Sequence, residues 1–228
     1  MVIFGTPIRR YASPAALWLD LNASLRYSAS SMSTVRRSSL KRETTETSVT
    51  VDLVIDGSGV SAIKTGIAFF DHMLTLFSKH GVFDLQINAQ GDLEVDFHHT
   101  VEDVGIVLGS CFSKALGDKA GIRRYGWALL PMDESLVRIA VDLSGRAYLH
   151  YEAPDGAGSI GRFDFQLVEE FLRAFTTNAG LNLHVDVLRG RNSHHIAEAI
   201  FKGLAKALDL ACQVDERVTG VPSSKGRL

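Results

Sequence analysis

From Ser48 to Ile55 the chain alternates apolar and polar residues and is rich in β-branched ones, which predicts a strand with one buried face. Asp56-Gly57-Ser58-Gly59 has turn chemistry, and Val60 to Ile67 can return beside the first run, so an opening hairpin is expected. Phe69 to His80 then spaces its apolar residues for one helix face and is stopped by Gly81. Two strand-like runs follow, Val82 to Asn88 and Leu93 to Phe97, before a long helical stretch from His98 to about Lys119. The predicted order is strand, strand, helix, strand, strand, helix.

The second half repeats much of that order. Leu136 to Leu143 reads as a strand, Ser144-Gly145 as a turn and Arg146 to Glu152 as another strand. A helix from about Gln166 to Asn178, a strand at Leu181 to Leu188 and a helix from about Ser193 to Cys212 complete it. The repeat is clearest where Phe70-Asp71-His72-Met73-Leu74 faces Val168-Glu169-Glu170-Phe171-Leu172, and where His98-His99-Thr100-Val101-Glu102 faces His194-His195-Ile196-Ala197-Glu198. The expected architecture is α+β. Two half-domains, about residues 41–120 and 133–213, each carry a mostly antiparallel sheet with two helices on one face, and a tail (214–228) follows. Packing the two helical layers together would give them one shared core.

At 228 residues, with 46% hydrophobic and 22% charged, the chain is too apolar to be disordered and too short for three ordinary domains. A formal net charge of −2 gives no global electrostatic case for nucleic acid or an anionic membrane. No apolar run reaches the length of about 18 residues that a bilayer span needs, so a soluble chain without a membrane partner is expected. Cys111 and Cys212 sit singly in apolar helical contexts and read as buried thiols in a reducing compartment. The first 39 residues stand apart, with Arg9, Arg10, Arg26, Arg36 and Arg37, eight serines and Asp20 as their one acid. That composition resembles an organelle transit peptide, the alternative being a non-targeting extension; either way residues 1–39 are expected outside the folded core.

The repeated segments carry the candidate chemistry. His72, His98, His99, His194 and His195, five of the chain's eight histidines, fall inside them, each with a glutamate at hand. On a helix His98 and Glu102, like His194 and Glu198, lie one turn apart on one face, and His99 or His195 stands three residues from the same glutamate. Adjacent histidines point about 100° apart, so one helix start can serve two ions or two neighbouring sites. Two such HHxxE openings are a stronger signal than a single short motif. Imidazoles and carboxylates without thiolates suit Mn, Fe or Zn, and a high ligand count with oxygen donors leans towards six-coordinate Mn(II).

The run Asp96 to Gly105, the Phe70-Asp71-His72-Met73-Leu74 helix and Pro131-Met132-Asp133-Glu134 carry a resemblance. So do Arg191-Asn192-Ser193-His194-His195 leading to Glu198-Ala199-Ile200-Phe201-Lys202, and the closing Pro222-Ser223-Ser224-Lys225-Gly226. Together, over about Leu40 to Leu228, the chain resembles the imidazoleglycerol-phosphate dehydratases of histidine biosynthesis. The resemblance implies a duplicated form similar to the second domain of ribosomal protein S5, with four strands and two helices in each half. It implies two Mn(II) ions per active site and a homo-24-mer with metal sites between subunits. The implied ligands are His72, His98, His99, Glu102, His194, His195 and Glu198. Glu170 is the eighth, facing His72 in the repeat where many members of the family carry histidine.

By the same resemblance the substrate is imidazole glycerol phosphate, which loses water to give imidazole acetol phosphate. The hydrogen to be lost sits on a carbon that no carbonyl acidifies, so the imidazole ring must be the electron sink, and metal on a ring nitrogen would favour that. Glu46 matches an acid/base position, and Glu198 could combine ligation with proton transfer. Arg124, Arg146, Lys202, Ser223, Ser224 and Lys225 are the implied phosphate-binding residues, cations and hydroxyls being the usual partners of that group. A dinuclear metal hydrolase and a non-enzymatic metal-assembled shell are the alternatives. The basic set with Glu46 argues against a shell, and the histidine-rich ligand set suits an imidazole substrate better than hydrolysis. Because histidine synthesis is plastidic in plants, the transit-like segment implies the plastid stroma, with the cytoplasm as the alternative.

Overall fold

The computed structural model describes residues 35–154 and 158–228. In chain order the elements of the first half are β1 (Arg37–Glu43), β2 (Thr47–Val54), β3 (Ser61–Lys64), α1 (Ala68–Gly81), β4 (Asp84–Gly91) and α2 (His98–Leu116). The second half has β5 (Tyr125–Met132), β6 (Ser135–Asp142), β7 (Tyr148–Glu152), the short pair β8 (Ser159–Ile160) and β9 (Phe163–Asp164), α3 (Gln166–Ala179), β10 (Asn182–Arg189) and α4 (Ser193–Cys212). Each half builds a four-stranded sheet, ordered β1-β2-β4-β3 and β5-β6-β10-β7, in which all neighbours are antiparallel except the last pair. The duplicated α+β architecture is therefore present, the four-stranded sheets matching strand for strand and the β8–β9 pair being an addition in the second half.

Alternation explains the sheets. Val49, Val51 and Leu53 of β2, Leu85 and Ile87 of β4, Val137 and Ile139 of β6, and Leu183 and Val185 of β10 are buried at every second position. The helices bury a stripe instead: Phe70, Met73, Leu74 and Phe77 of α1 match Val168, Phe171, Leu172 and Phe175 of α3, each set at i, i+3, i+4 and i+7. The halves join through these stripes. Phe171 stands 5.5 Å from Phe70 and 5.1 Å from Phe201, while Phe175 meets Phe77 at 6.2 Å and Phe112 at 5.8 Å. Where α2 crosses α3, a Cβ on Gly105 would lie 2.9 Å from the Phe171 carbonyl, and one on Gly109 2.5 Å from that of Phe175, so the approach of the two helices requires glycine.

Four expectations are corrected. The second half begins before residue 133, because Tyr125 to Met132 form β5, the edge strand of its sheet. The run Val60 to Ile67 does not form a hairpin with β2. Asp84 accepts hydrogen bonds from the Ser58 and Val60 N–H groups (2.8 and 3.0 Å), which draws the turn to the start of β4 and delivers β3 parallel to β4. Leu93 to Phe97 forms no strand; the Val95 N–H closes a turn on the Asp92 carbonyl. The folded chain also begins before residue 40, because Arg37 to Ser39 belong to β1. Arg36 secures that edge, donating to Asp56 and, at 2.7 Å, to the Cys212 carbonyl at the end of α4. The rest of the transit-like segment lies outside the described residues. Cys111 and Cys212 are free and buried, as expected. No helix among the described residues is long and apolar enough to cross a membrane.

Candidate active site

Both histidine pairs open helices, and the same local device fixes each opening. Asp96 Oδ1 accepts from the His98 N–H at 2.8 Å, and Asn192 Oδ1 accepts from the His194 N–H at 3.0 Å, satisfying a donor that the first helical turn leaves free. Helical rotation then turns the neighbouring imidazoles apart: the rings of His98 and His99 stand at 89°, those of His194 and His195 at 82°. Each pair thus presents one ring to the cleft between helices and the other to the turns at the sheet end.

Between α1 and α4, His72 Nε2 and His194 Nε2 converge on one oxygen, Glu198 Oε1, at 3.2 and 3.0 Å. Lys202, one turn further along α4, donates to Glu198 Oε2 at 2.5 Å and lies 3.6 Å from Met132 Sδ. Burial opposes the Glu198 charge, but the hydrogen bonds from Lys202, His72 and His194 outweigh it and hold the carboxyl down at about 2. Three nitrogen and oxygen donors, from His72, His194 and Glu198, therefore meet within 4.8 Å, close enough to take one cation.

The repeat-related cleft, beside α2 and α3, is open. His98 and Glu170 line a cavity of about 410 Å³, with Phe97, Arg162 and Asp164 on its walls, and Arg162 lies over the Phe97 ring. Glu102 stands one turn beyond His98, half-buried. The structure thus brings Glu170 to the His98 cleft, as His72 is brought to the His194 cleft.

The second histidine of each pair meets a carboxylate through Nδ1. His99 Nδ1 lies 3.0 Å from Asp92 Oδ2 and 3.8 Å from Glu46, which stands in the β1–β2 turn. His195 Nδ1 lies 2.7 Å from Glu134 Oε2, in the equivalent β5–β6 turn, with Asp133 3.7 Å from its Nε2. These contacts raise both imidazoles above the usual range, Asp92 being the main cause for His99 and Glu134 for His195, and the Glu134 carboxyl is held well below its own. Sequence reasoning assigned no role to Asp92 or Glu134. The signal that could have found Glu134 is the repeat, which sets it opposite Glu46.

The candidate phosphate residues divide. Arg124, left-handed at φ 73°, donates to Asp142 (2.7 Å) and to the Pro222 carbonyl (2.8 Å), which ties it to the C-terminal tail. Arg146 is exposed just beyond the same end of β6, and the tail residues Ser223, Ser224 and Lys225 form a turn closed by the Gly226 N–H on the Ser223 carbonyl at 3.0 Å. Lys202, by contrast, sits at the Met132 end of β5. Eight residues of β5 lie between these ends, roughly 23 Å at the rise of a strand. A second donor group, His150, Glu152 and Asp186, lies on the outer face of the second sheet, where Arg138 already pairs with Asp186 at 3.1 Å. Ala62, Lys64, Gln86 and Asn88 pair at the corresponding positions of β3 and β4 in the first sheet, so the repeat does not preserve it.

The family model for imidazoleglycerol-phosphate dehydratase matches residues 65–208. The imidazoleglycerol-phosphate dehydratase of Caldanaerobacter subterraneus subsp. tengcongensis is 58% identical over 194 residues, covering 85% of this chain and 100% of that one. That of Geobacter sulfurreducens is 54% identical over 193 residues, covering 85% and 99%. Among solved structures, the imidazoleglycerol-phosphate dehydratase of Staphylococcus aureus superposes with a TM-score of 0.72 at 42% identity, covering 78% of this chain and 99% of that one. The Pyrococcus furiosus enzyme gives 0.67 at 34%, covering 83% and 100%. With the duplicated sheets and the paired histidine clefts, these likenesses make this chain a member of the imidazoleglycerol-phosphate dehydratase family.

Proposed function

We propose that this chain dehydrates imidazole glycerol phosphate to imidazole acetol phosphate in histidine biosynthesis, as a carbon–oxygen lyase using two Mn(II) ions per active site. The observation that carries the reading is the convergence of His72, His194 and Glu198 on one point, with His98 and Glu170 brought to one cavity at the repeat-related position. Such nitrogen and oxygen donors fit a divalent ion of intermediate hardness. His99 and His195, turned outward at the sheet ends, complete the ligand set. When bound, the metal supplies a Lewis acid that lets the substrate's imidazole ring accept electrons.

The remaining chemistry belongs to side chains. Glu46, exposed beside His99, takes the carbon-bound proton and returns it to the departing hydroxyl, which leaves as water. Glu198, kept ionised by Lys202 and two imidazoles, is a weak base and serves as a ligand. Arg124, Arg146, Ser223, Ser224 and Lys225 grip the phosphate through charge-assisted hydrogen bonds, and Lys202 adds positive charge at the metal end.

A three-carbon chain between ring and phosphate cannot span the distance from Arg124 to Lys202. The phosphate group of residues and the α1–α4 ligands of one copy therefore do not share a substrate, which supports active sites between subunits in a closed homo-oligomer, proposed as the 24-mer. The same balance of charges supports no nucleic-acid or membrane partner. The plastid stroma is the proposed location, supported by the arginine- and serine-rich segment before β1. A fluorescent reporter fused behind residues 1–39 is expected in plastids; a diffuse cytosolic signal would contradict this. The function itself is tested by incubating Mn(II)-loaded protein with imidazole glycerol phosphate. Imidazole acetol phosphate is the expected product, and its absence would overturn the reading.

A further inference from the structure

We infer that Asp92 and Glu134 are paired positioning residues, each holding the second histidine of an HHxxE opening by Nδ1 so that Nε2 is left unprotonated and able to ligate a metal. The inference rests on the metal-binding reading above and adds residues that reading does not use.

The geometry is repeated in the two halves. His99 Nδ1 faces Asp92 Oδ2 at 3.0 Å and His195 Nδ1 faces Glu134 Oε2 at 2.7 Å. A neutral imidazole carries one proton, and a carboxylate accepts only, so each ring keeps its proton on Nδ1 and offers the Nε2 lone pair. Carboxylates in this outer position are the usual means of fixing the tautomer and orientation of a ligating histidine.

Glu134 is itself immobilised. Its other oxygen, Oε1, accepts from the Asn192 N–H (2.9 Å), the Arg191 N–H (3.2 Å) and the Ser135 hydroxyl (3.2 Å), so one carboxylate joins the β5–β6 turn to the loop that opens α4. Asp92 is less committed: its Oδ1 is buried without a hydrogen-bond partner among the described residues. This difference separates the two in substitution. In Glu134→Gln the single amide oxygen is required by the backbone N–H groups. The NH₂ then faces His195 Nδ1, moves the ring proton to Nε2 and blocks ligation at unchanged side-chain size. In Asp92→Asn the oxygen can stay on His99, since the second position makes no demand on it.

The test is calorimetric Mn(II) titration of full-length wild type, Glu134→Gln and Asp92→Asn, with the melting temperature of each metal-free protein. Glu134→Gln is expected to weaken one Mn(II) site about 10 to 100-fold, the span usual for outer-sphere partners, and to leave metal-free stability near wild type. Asp92→Asn should weaken binding less. If Glu134→Gln does not fold, Glu134→Asp, which withdraws the carboxylate by one methylene, should show the same weakening. Wild-type Mn(II) affinity in whichever Glu134 variant folds would overturn the proposal and leave Glu134 as a loop tie. A wild type that binds no Mn(II) would instead refute the metal reading on which this one stands.

Discussion

The two clefts descend from one repeated pattern yet differ in charge and closure. In the α1–α4 cleft the first helix of the other half contributes His72; in the α2–α3 cleft the equivalent position, again from the other half, is Glu170. One turn past the glutamate, α4 carries Lys202, whereas the corresponding position of α2 is Ile106. The first cleft therefore holds two imidazoles, one carboxylate and an ammonium drawn onto a single point. The second sets His98 and Glu170 around an open cavity whose walls also carry Glu94, Asp96, Asp164 and Arg162, with no lysine at the position of Lys202. Duplication has kept the ligand scaffold and varied the charge. An ammonium in the first cleft would offset the charge of an anionic substrate, and the carboxylates around the second would strengthen its hold on a cation.

The largest effect should come from Glu198→Gln. It removes the charge and one of the two oxygens, so the remaining oxygen cannot serve both the imidazole pair and Lys202; one Mn(II) should be lost and kcat should fall at least 100-fold, while the α2–α3 cleft still takes its ion. Titration and turnover of the same preparation check this. Next is Glu170: Glu170→Ala should weaken the other Mn(II) site at least 10-fold, whereas Glu170→His should keep Mn(II) and raise relative affinity for Zn(II), making the clefts alike. Unchanged stoichiometry and affinity in the Ala variant would make Glu170 a mere cavity-wall residue. Lys202→Met is subtler. Removing the ammonium should tighten metal binding in the α1–α4 cleft several-fold while lowering turnover, because the cation there serves the substrate rather than the ion.

The smallest effect is the pH dependence of the metal-free protein. The Glu198 carboxyl is held at about 2, below its ordinary value of about 4.3. Its contribution to stability is therefore complete above that ordinary value and is lost as the pH falls towards 2. In Lys202→Met the carboxyl should rise, and melting temperatures recorded across this window should show the acid loss beginning at higher pH than in wild type.

The helices and the repeat were legible because their signal is periodic and local: α4 runs from Ser193 to Cys212 as expected, and the HHxxE openings fall where the pattern places them. Strand β5 was not legible. Tyr125, Trp127 and Leu129 on its outward face are apolar and exposed, so alternation vanishes, and Gly126 and Pro131 resemble breakers. The false hairpin has a tertiary cause, since Asp84, distant in sequence, decides where the turn goes. In the site, ligand candidates were readable as motifs. Asp92 and Glu134 were not, because an acid in a turn has no period, and only folding brings it to Nδ1 of a histidine. The separation of Lys202 from Arg124 along β5 was equally invisible before that strand was known.

That separation underlies the claim that metal ligands and phosphate grip belong to different copies of the chain, and subunit complementation tests it most directly. Glu198→Gln damages the metal end alone, and the Arg146→Ala/Lys225→Ala double variant damages the phosphate end alone, so each homo-oligomer should be nearly inactive. Dissociated, mixed and reassembled with Mn(II), the two should regain activity well above either parent, since some sites then combine an intact metal end with an intact phosphate end. A verified mixed oligomer no more active than its parents would contradict the account and place the whole site within one chain.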